Sequence, residues 1–156
     1  MTKSDFFNKA APAALASGHI WPQYAVCEAA LESGWGSSEL ATAANNLFGQ
    51  KQGATTGTNE TIELPTREFL NGAWTTVLAT WPKFADWTEA FTARMALLRH
   101  NPVYADALAA TDGETFIKLV SVHWATDPLR AEKVLDTYHA NWNLIQNAMV
   151  LANAKS

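Results

Sequence analysis

Cys27-Glu28-Ala29-Ala30-Leu31-Glu32-Ser33-Gly34-Trp35-Gly36, followed nine residues later by Asn45-Asn46-Leu47-Phe48-Gly49, is the stretch on which the reading of this chain turns. Its first half continues an apolar helix that reads from Trp21 to Ser33, with Pro22 at a first-turn position that tolerates proline and Gly34 ending it. Glu32 then falls in the last turn, where the helix dipole is negative, beside apolar Leu31 and Trp35. Both effects disfavour the ionised carboxylate and predict a group that keeps its proton, as a general acid must. Glu28, four residues earlier on the same face, is given no catalytic role, and its charge is expected to push Glu32 the same way. The plain alternative is a solvated last-turn glutamate, the commoner condition of that residue type.

Working outward, Ser4 to Ala16 reads as a helix with a serine cap, and Ser37 to Ala44 as a short one. Gly49 to Thr61 has the Gly, Thr, Gln and Asn composition of a loop and reads as the most mobile segment. Thr61 to Leu70 and Trp74 to Phe84 are β-branched and aromatic runs around Asn71-Gly72, the strongest short hairpin signal. Asp86 caps a helix to Arg99, Asn101-Pro102 breaks it, Ala105 to Ala110 forms a short turn of helix, and Asp112 caps another to Trp124. Beyond Asp127-Pro128, the positions Leu135, Tyr138, Trp142, Ile145, Met149 and Ala152 recur in three- and four-residue steps. They predict one long C-terminal helix with Trp142 in the core. The fold class is therefore α+β, mainly α.

A chain of 156 residues and 17.0 kDa suits one domain over residues 1–156. Hydrophobic residues at 48% against 17% charged, with seven Trp, exclude disorder. The net charge is −4 and no two Lys or Arg are adjacent, so the footprint of a nucleic-acid or anionic-membrane binder is missing. Asp5, Asn8 and Lys9 interrupt the N-terminal segment where a secretory signal needs an apolar run, and no stretch approaches the roughly 18 apolar residues of a membrane span. The expectation is synthesis in the cytoplasm without a signal peptide, with action after release by something else. The single cysteine, Cys27, excludes an internal disulfide.

A second carboxylate is offered by the hairpin. Glu63 and Glu68 flank Arg67 on its first strand, and Glu68, just before the turn, is placed to face a cleft between hairpin and helix. Two carboxylates from different elements are the apparatus of glycoside hydrolysis; the bland reading is a wet strand face. Sugar faces stack on aromatic rings, so Trp35, Trp81 and Trp124 are the tryptophans placed near such a site. His19, His100, His123 and His139 have no metal-ligand spacing, so neither a metal nor a cofactor is expected. A Cys27–His123 dyad is weighed and set aside, because Cys27 falls mid-helix, where burial as a small hydrophobe is the ordinary state.

Taken together, Ala29-Ala30-Leu31-Glu32-Ser33-Gly34-Trp35-Gly36, Asn45-Asn46-Leu47-Phe48-Gly49 with Lys51, Thr66-Arg67-Glu68-Phe69 with Asn71-Gly72, Phe84 to Asp86 with Glu89-Ala90-Phe91, Leu97-Leu98-Arg99 with Asn101-Pro102-Val103-Tyr104-Ala105, and Ala125-Thr126-Asp127-Pro128 with Ala131-Glu132-Lys133-Val134 resemble the bacterial endo-β-N-acetylglucosaminidases of glycoside hydrolase family seventy-three. The resemblance runs over nearly the whole chain in the family's order. It implies a lysozyme-like fold, a helical lobe and a small β-hairpin lobe with a saccharide cleft between them. It also implies action on peptidoglycan glycan strands, Glu32 as catalytic acid and Glu68 as the hairpin carboxylate. It extends the substrate-binding set of Trp35, Trp81 and Trp124 to Asn46, Phe48 and Tyr104. Trp124 stands where the family usually has tyrosine, Arg130 where an aromatic commonly follows, and Gln50 where an aliphatic residue is usual. Retention, inversion and assistance by the substrate's own N-acetyl group stay open, as do a muramidase or lytic transglycosylase specificity and a non-catalytic wall-binding role. A phage-type endolysin released by a holin-type partner is the expected setting, ahead of an effector delivered by a secretion machine; either acts in the cell wall or periplasm.

Overall fold

The computed structural model describes residues 1–155. Helix α2 (Pro22–Ser33) is the axis on which the helical lobe is organised. Ala25 through Ala30 are all buried, a run no surface helix would show, because α1 (Lys3–Ala16), α6 (Gly113–Trp124), α7 (Arg130–Ala140) and α8 (Trp142–Ala154) pack around it. Its small residues Ala25, Ala29 and Ala30 let those neighbours approach, while Phe6, Phe7, Leu47, Phe48 and Phe91 fill the space between helices. A second apolar cluster of Met95, Leu98, Tyr104, Ala107, Phe116 and Val120 sits between α4 (Trp87–His100), the short α5 (Ala105–Leu108) and α6, and Trp124 packs against both clusters.

The ends of α2 follow its sequence. Trp21, at φ 47°, turns the chain into the helix, and Gly34, at φ 56°, ends it in the left-handed conformation that glycine adopts without strain. Trp35 and Gly36 continue at φ 59° and 77°, and Ser33 ties this turn by donating to Ala29 O at 2.6 Å and accepting from Gly36 N at 2.9 Å. The short α3 (Glu39–Ala44) is capped by Ser38, and α4 and α6 by Asp86 and Asp112, each accepting from a first-turn amide.

The strands β1 (Thr61–Leu70) and β2 (Ala73–Pro82) form an antiparallel pair with Leu70 opposite Ala73, turned by Asn71 and Gly72 at φ 51° and 79°. The alternation places Ile62, Leu64, Thr66 and Glu68 on a half-buried face and Glu63, Arg67 and Phe69 on the outer one. At its base the hairpin is fastened by Lys83 N to Glu60 O, Phe84 N to Ala44 O, and Asn45 Nδ2 to the carbonyls of Phe84 and Ala85.

Three expectations need correction. The first helix starts at Lys3, capped by Thr2 in a reciprocal pair with Asp5 instead of by Ser4, and it runs through Pro12. The C-terminal segment is two helices, not one: the chain turns at Asn141, whose amide still donates to Thr137 O, and α8 starts in a new direction. Trp142 consequently begins α8 at 50% exposure and leaves the core, while Ile145 and Met149 remain buried. No helix among the described residues is long and apolar enough to cross a membrane.

Candidate active site

A cleft of 510 Å³ opens beside the C-terminal end of α2. Glu32 lies in its wall, together with Phe48 and the loop 49–55, Leu97 and His100 of α4, Tyr104 of the 3-10 turn Pro102–Tyr104, and Trp124 at the end of α6. The Glu32 side chain is 23% exposed, which gives a reacting group access to substrate while most of it is fixed by neighbours. One face of the cleft is aromatic: Tyr104 lies 6.1 Å from Trp124 and Phe48 stands edge-on to it at 6.4 Å. A second groove of 680 Å³, lined by Ser121, His123, Asp127 and Pro128, shares Trp124 with the first.

Glu32 is not surrounded by apolar groups alone. Arg130, 1% exposed, donates from Nε to Glu32 Oε1 at 2.8 Å, from Nη2 to Glu28 Oε2 at 2.9 Å and from Nη1 to Ser121 Oγ at 2.8 Å. Glu28, fully buried, is gripped from the other side by Arg94, Nη1 to Oε1 at 2.8 Å and Nη2 to Oε2 at 2.6 Å. Arg94 Nη1 also reaches His19 Nε2 at 3.1 Å, and His19 Nδ1 lies 2.7 Å from Ile20 O. Since the carbonyl only accepts and the guanidinium only donates, His19 is the neutral tautomer with its hydrogen on Nδ1. Burial and the neighbouring Arg94 push the imidazole down to about 4. Burial alone would push the Glu28 carboxyl up, but the two guanidiniums outweigh it and hold that group below the usual carboxylate range. Glu28 is therefore an ion-pair anchor, and the expected repulsion of Glu32 is replaced by a bridge through Arg130.

Arg94 also lies behind the aromatic wall, its guanidinium carbon 4.5 Å from the Trp124 ring centroid and 5.0 Å from that of Phe48. The ion network and the cleft surface are thus one packed unit.

The other sequence-based candidates fall into two groups. Phe48, Tyr104 and Trp124 join Glu32 in the cleft. Asn46, 2% exposed, does not: its Nδ2 donates to Gln50 O and its Oδ1 accepts from Gln50 N, so it shapes the loop that carries Phe48. Gln50 is held in turn by its Nε2 on Ala93 O. Trp35 belongs to the packing around α1, edge-on to Phe6 and Phe7 with Lys3 over its ring, and borders a different depression. Trp81 sits on the half-buried face of the hairpin opposite Ile62, away from the cleft lining. Glu68 shares that hairpin face; it is 41% exposed, outside the cleft lining, and its contact with the cleft is Lys51, whose Nζ lies 3.9 Å from Glu68 Oε1. Cys27 is buried and its thiol is pushed up by that burial. The loop 49–55 is less free than its composition suggests, because buried Thr56 donates to Gln52 Oε1 and Gly53 O.

Arg94 and Arg130, which hold Glu28 and Glu32, were not marked by the sequence reading as site residues. The available signals were the four-residue spacing of Glu28 and Glu32 on one helix face and the appearance of an arginine at 130 in place of an aromatic.

A family model described as mannosyl-glycoprotein endo-beta-N-acetylglucosaminidase, in short Glucosaminidase, matches residues 8–143. The chain is 35% identical to the peptidoglycan hydrolase FlgJ of Salmonella typhimurium and 34% identical to the exo-glucosaminidase LytG of Bacillus subtilis. In both cases the match spans 74% of this chain and 42% of the relative's length. The structure superposes on a C-terminally truncated glycoside hydrolase domain of Salmonella typhimurium FlgJ with a TM-score of 0.71 and 30% identity, covering 91% of this chain and 99% of that one.

Proposed function

The chain belongs to the glucosaminidase family of glycoside hydrolases, and on that premise we propose that it cuts peptidoglycan at the β-1,4 bond between N-acetylglucosamine and N-acetylmuramic acid, with Glu32 as general acid. The observation that carries the proposal is the position of Glu32: a carboxyl group at a rigid helix end, partly exposed in a cleft walled by Phe48, Tyr104 and Trp124. Aromatic walls suit sugar rings, and the pair of grooves on either side of Trp124 suits a polymer that extends beyond one bond.

In this mechanism Glu32 Oε1 stays bonded to Arg130 Nε, and Oε2, which has no hydrogen-bond partner among the described residues, carries the proton to the glycosidic oxygen. The bond to the sugar's anomeric carbon breaks as the proton arrives. Glu68 is assigned the second role, base for the attacking water or stabiliser of the oxocarbenium-like state. It reaches the cleft by movement of the hairpin about its base, since it stands outside the lining at rest. Residues 1–156 then act as one catalytic domain. The protein then acts as a phage-type lytic enzyme, delivered through a membrane opened by a holin-type partner.

The test is mass spectrometry of muropeptides from purified peptidoglycan digested with the protein. New reducing-end N-acetylglucosamine is the expected product. Reducing-end N-acetylmuramic acid or its anhydro form would assign the bond to a muramidase or lytic transglycosylase instead. For the lytic role, cells making the protein internally are expected to lyse only once their inner membrane is opened.

A further inference from the structure

The buried ion network behind the cleft includes an arginine where the resemblance places an aromatic residue, and its geometry is aimed at Glu32. All three guanidinium nitrogens of Arg130 are committed, to Glu32, Glu28 and Ser121. The planar fork therefore has one orientation. Glu28 cannot swing away, because both of its oxygens are also held by Arg94. Arg94 is fixed in turn by His19, whose ring hangs on the Ile20 carbonyl. A continuous chain of short contacts thus runs from the backbone at Ile20 to one oxygen of Glu32.

We infer that Arg130 is the positioning residue for Glu32: it claims Oε1, which leaves Oε2 as the proton-carrying oxygen facing the cleft, and it stabilises the carboxylate that forms as the proton departs. The inference rests on Glu32 being the acid. The neutral acid and the carboxylate both accept from Nε, but only the carboxylate gains from the guanidinium's charge, so the contact strengthens along the reaction. Glu28 and Arg94 keep Arg130 from following substrate or solvent. The other titratable and charged groups around the Glu32 cleft are Lys51 from the loop, His100 from α4 and Tyr104 from the 3-10 turn.

The experiment compares wild type, Glu32→Gln, Arg130→Met, Arg130→Gln and Arg130→Lys on soluble glycan strands, with thermal melts to show which variants fold. Arg130→Met is expected to lower kcat about 100-fold with KM within about twofold, the split of a group that acts on the acid and not on substrate binding. Arg130→Lys is expected to recover part of that loss and no more, since it returns the charge without the three-way fork. Arg130→Gln keeps a hydrogen-bonding side chain without the buried charge and is expected to show the same loss of kcat, which covers the case where Arg130→Met does not fold. Wild-type kcat in the folded variants would overturn the inference, as would a raised KM at unchanged kcat. Full activity in Glu32→Gln would instead overturn the underlying assignment of the acid.

Discussion

Glu28 and Glu68 are two glutamates placed by opposite means. Glu28 is fully buried in the central helix and answered by two guanidiniums at 2.6 to 2.9 Å. Glu68 stands 41% exposed on a two-stranded hairpin, with one lysine 3.9 Å away. The first is fixed by the core and can orient its neighbours; the second is held by one long contact and, in the proposed mechanism, meets substrate where the hairpin carries it. Fixed, fully paired charge thus lies on the helix side of the cleft, and loosely paired, exposed charge on the strand side.

The sharpest way to break that contrast is to remove the anchor. Glu28→Ala leaves Arg94 and Arg130 buried without their shared partner and is expected to cost about 3–5 kcal/mol of stability, measured by denaturant unfolding. A loss below 1 kcal/mol would mean the network is a passenger.

Acid should expose the same region next. His19 is neutral in the folded protein with its imidazole pushed down to about 4, whereas in the unfolded chain it protonates below about 6.5. The unfolded state therefore binds more protons between those values, and stability falls as pH drops from 6.5 to 4, by on the order of 3 kcal/mol. Glu28, whose folded-state carboxyl is held low, adds a further loss below the ordinary carboxylate range. In His19→Gln the slope between pH 6.5 and 4 should flatten in thermal melts; an unchanged slope would place its origin elsewhere.

On the hairpin side, Glu68→Gln is expected to lower kcat about 100-fold while leaving stability within about 0.5 kcal/mol. Normal activity would remove Glu68 from the mechanism. The smallest effect belongs to Lys51→Ala, where an exposed 3.9 Å pair should be worth under about 1 kcal/mol. A larger loss in a double-mutant cycle with Glu68 would show the hairpin to be more firmly held than its exposure suggests.

How much of this was legible in the sequence depends on range. Local signals were sound: Gly34 as a helix stop, Asn71-Gly72 as a hairpin turn, and Asp86 and Asp112 as caps appear in the structure as read. The break at Asn141 was not legible, because the apolar period continues across it, while in the structure α7 packs chiefly on α2 and α8 chiefly on α1. The cleft was legible only in part. Glu32 could be named from its helix end, but Arg130, 98 residues further along the chain, meets it only through tertiary packing, and no spacing rule connects the two. Trp35 is expected near the cleft as a ring on which a sugar could stack. Its left-handed backbone turns the ring instead toward Phe6 and Phe7.

The proposal that Glu32 donates the proton in a glycan cleft is tested by turnover and binding of Glu32→Gln, an isosteric change that keeps the shape of the side chain and removes its acid. The expected kcat is lower by about 1,000-fold or more, with glycan binding and melting temperature close to wild type. Turnover within about tenfold of wild type, in a variant shown to be folded, would rule Glu32 out as the acid.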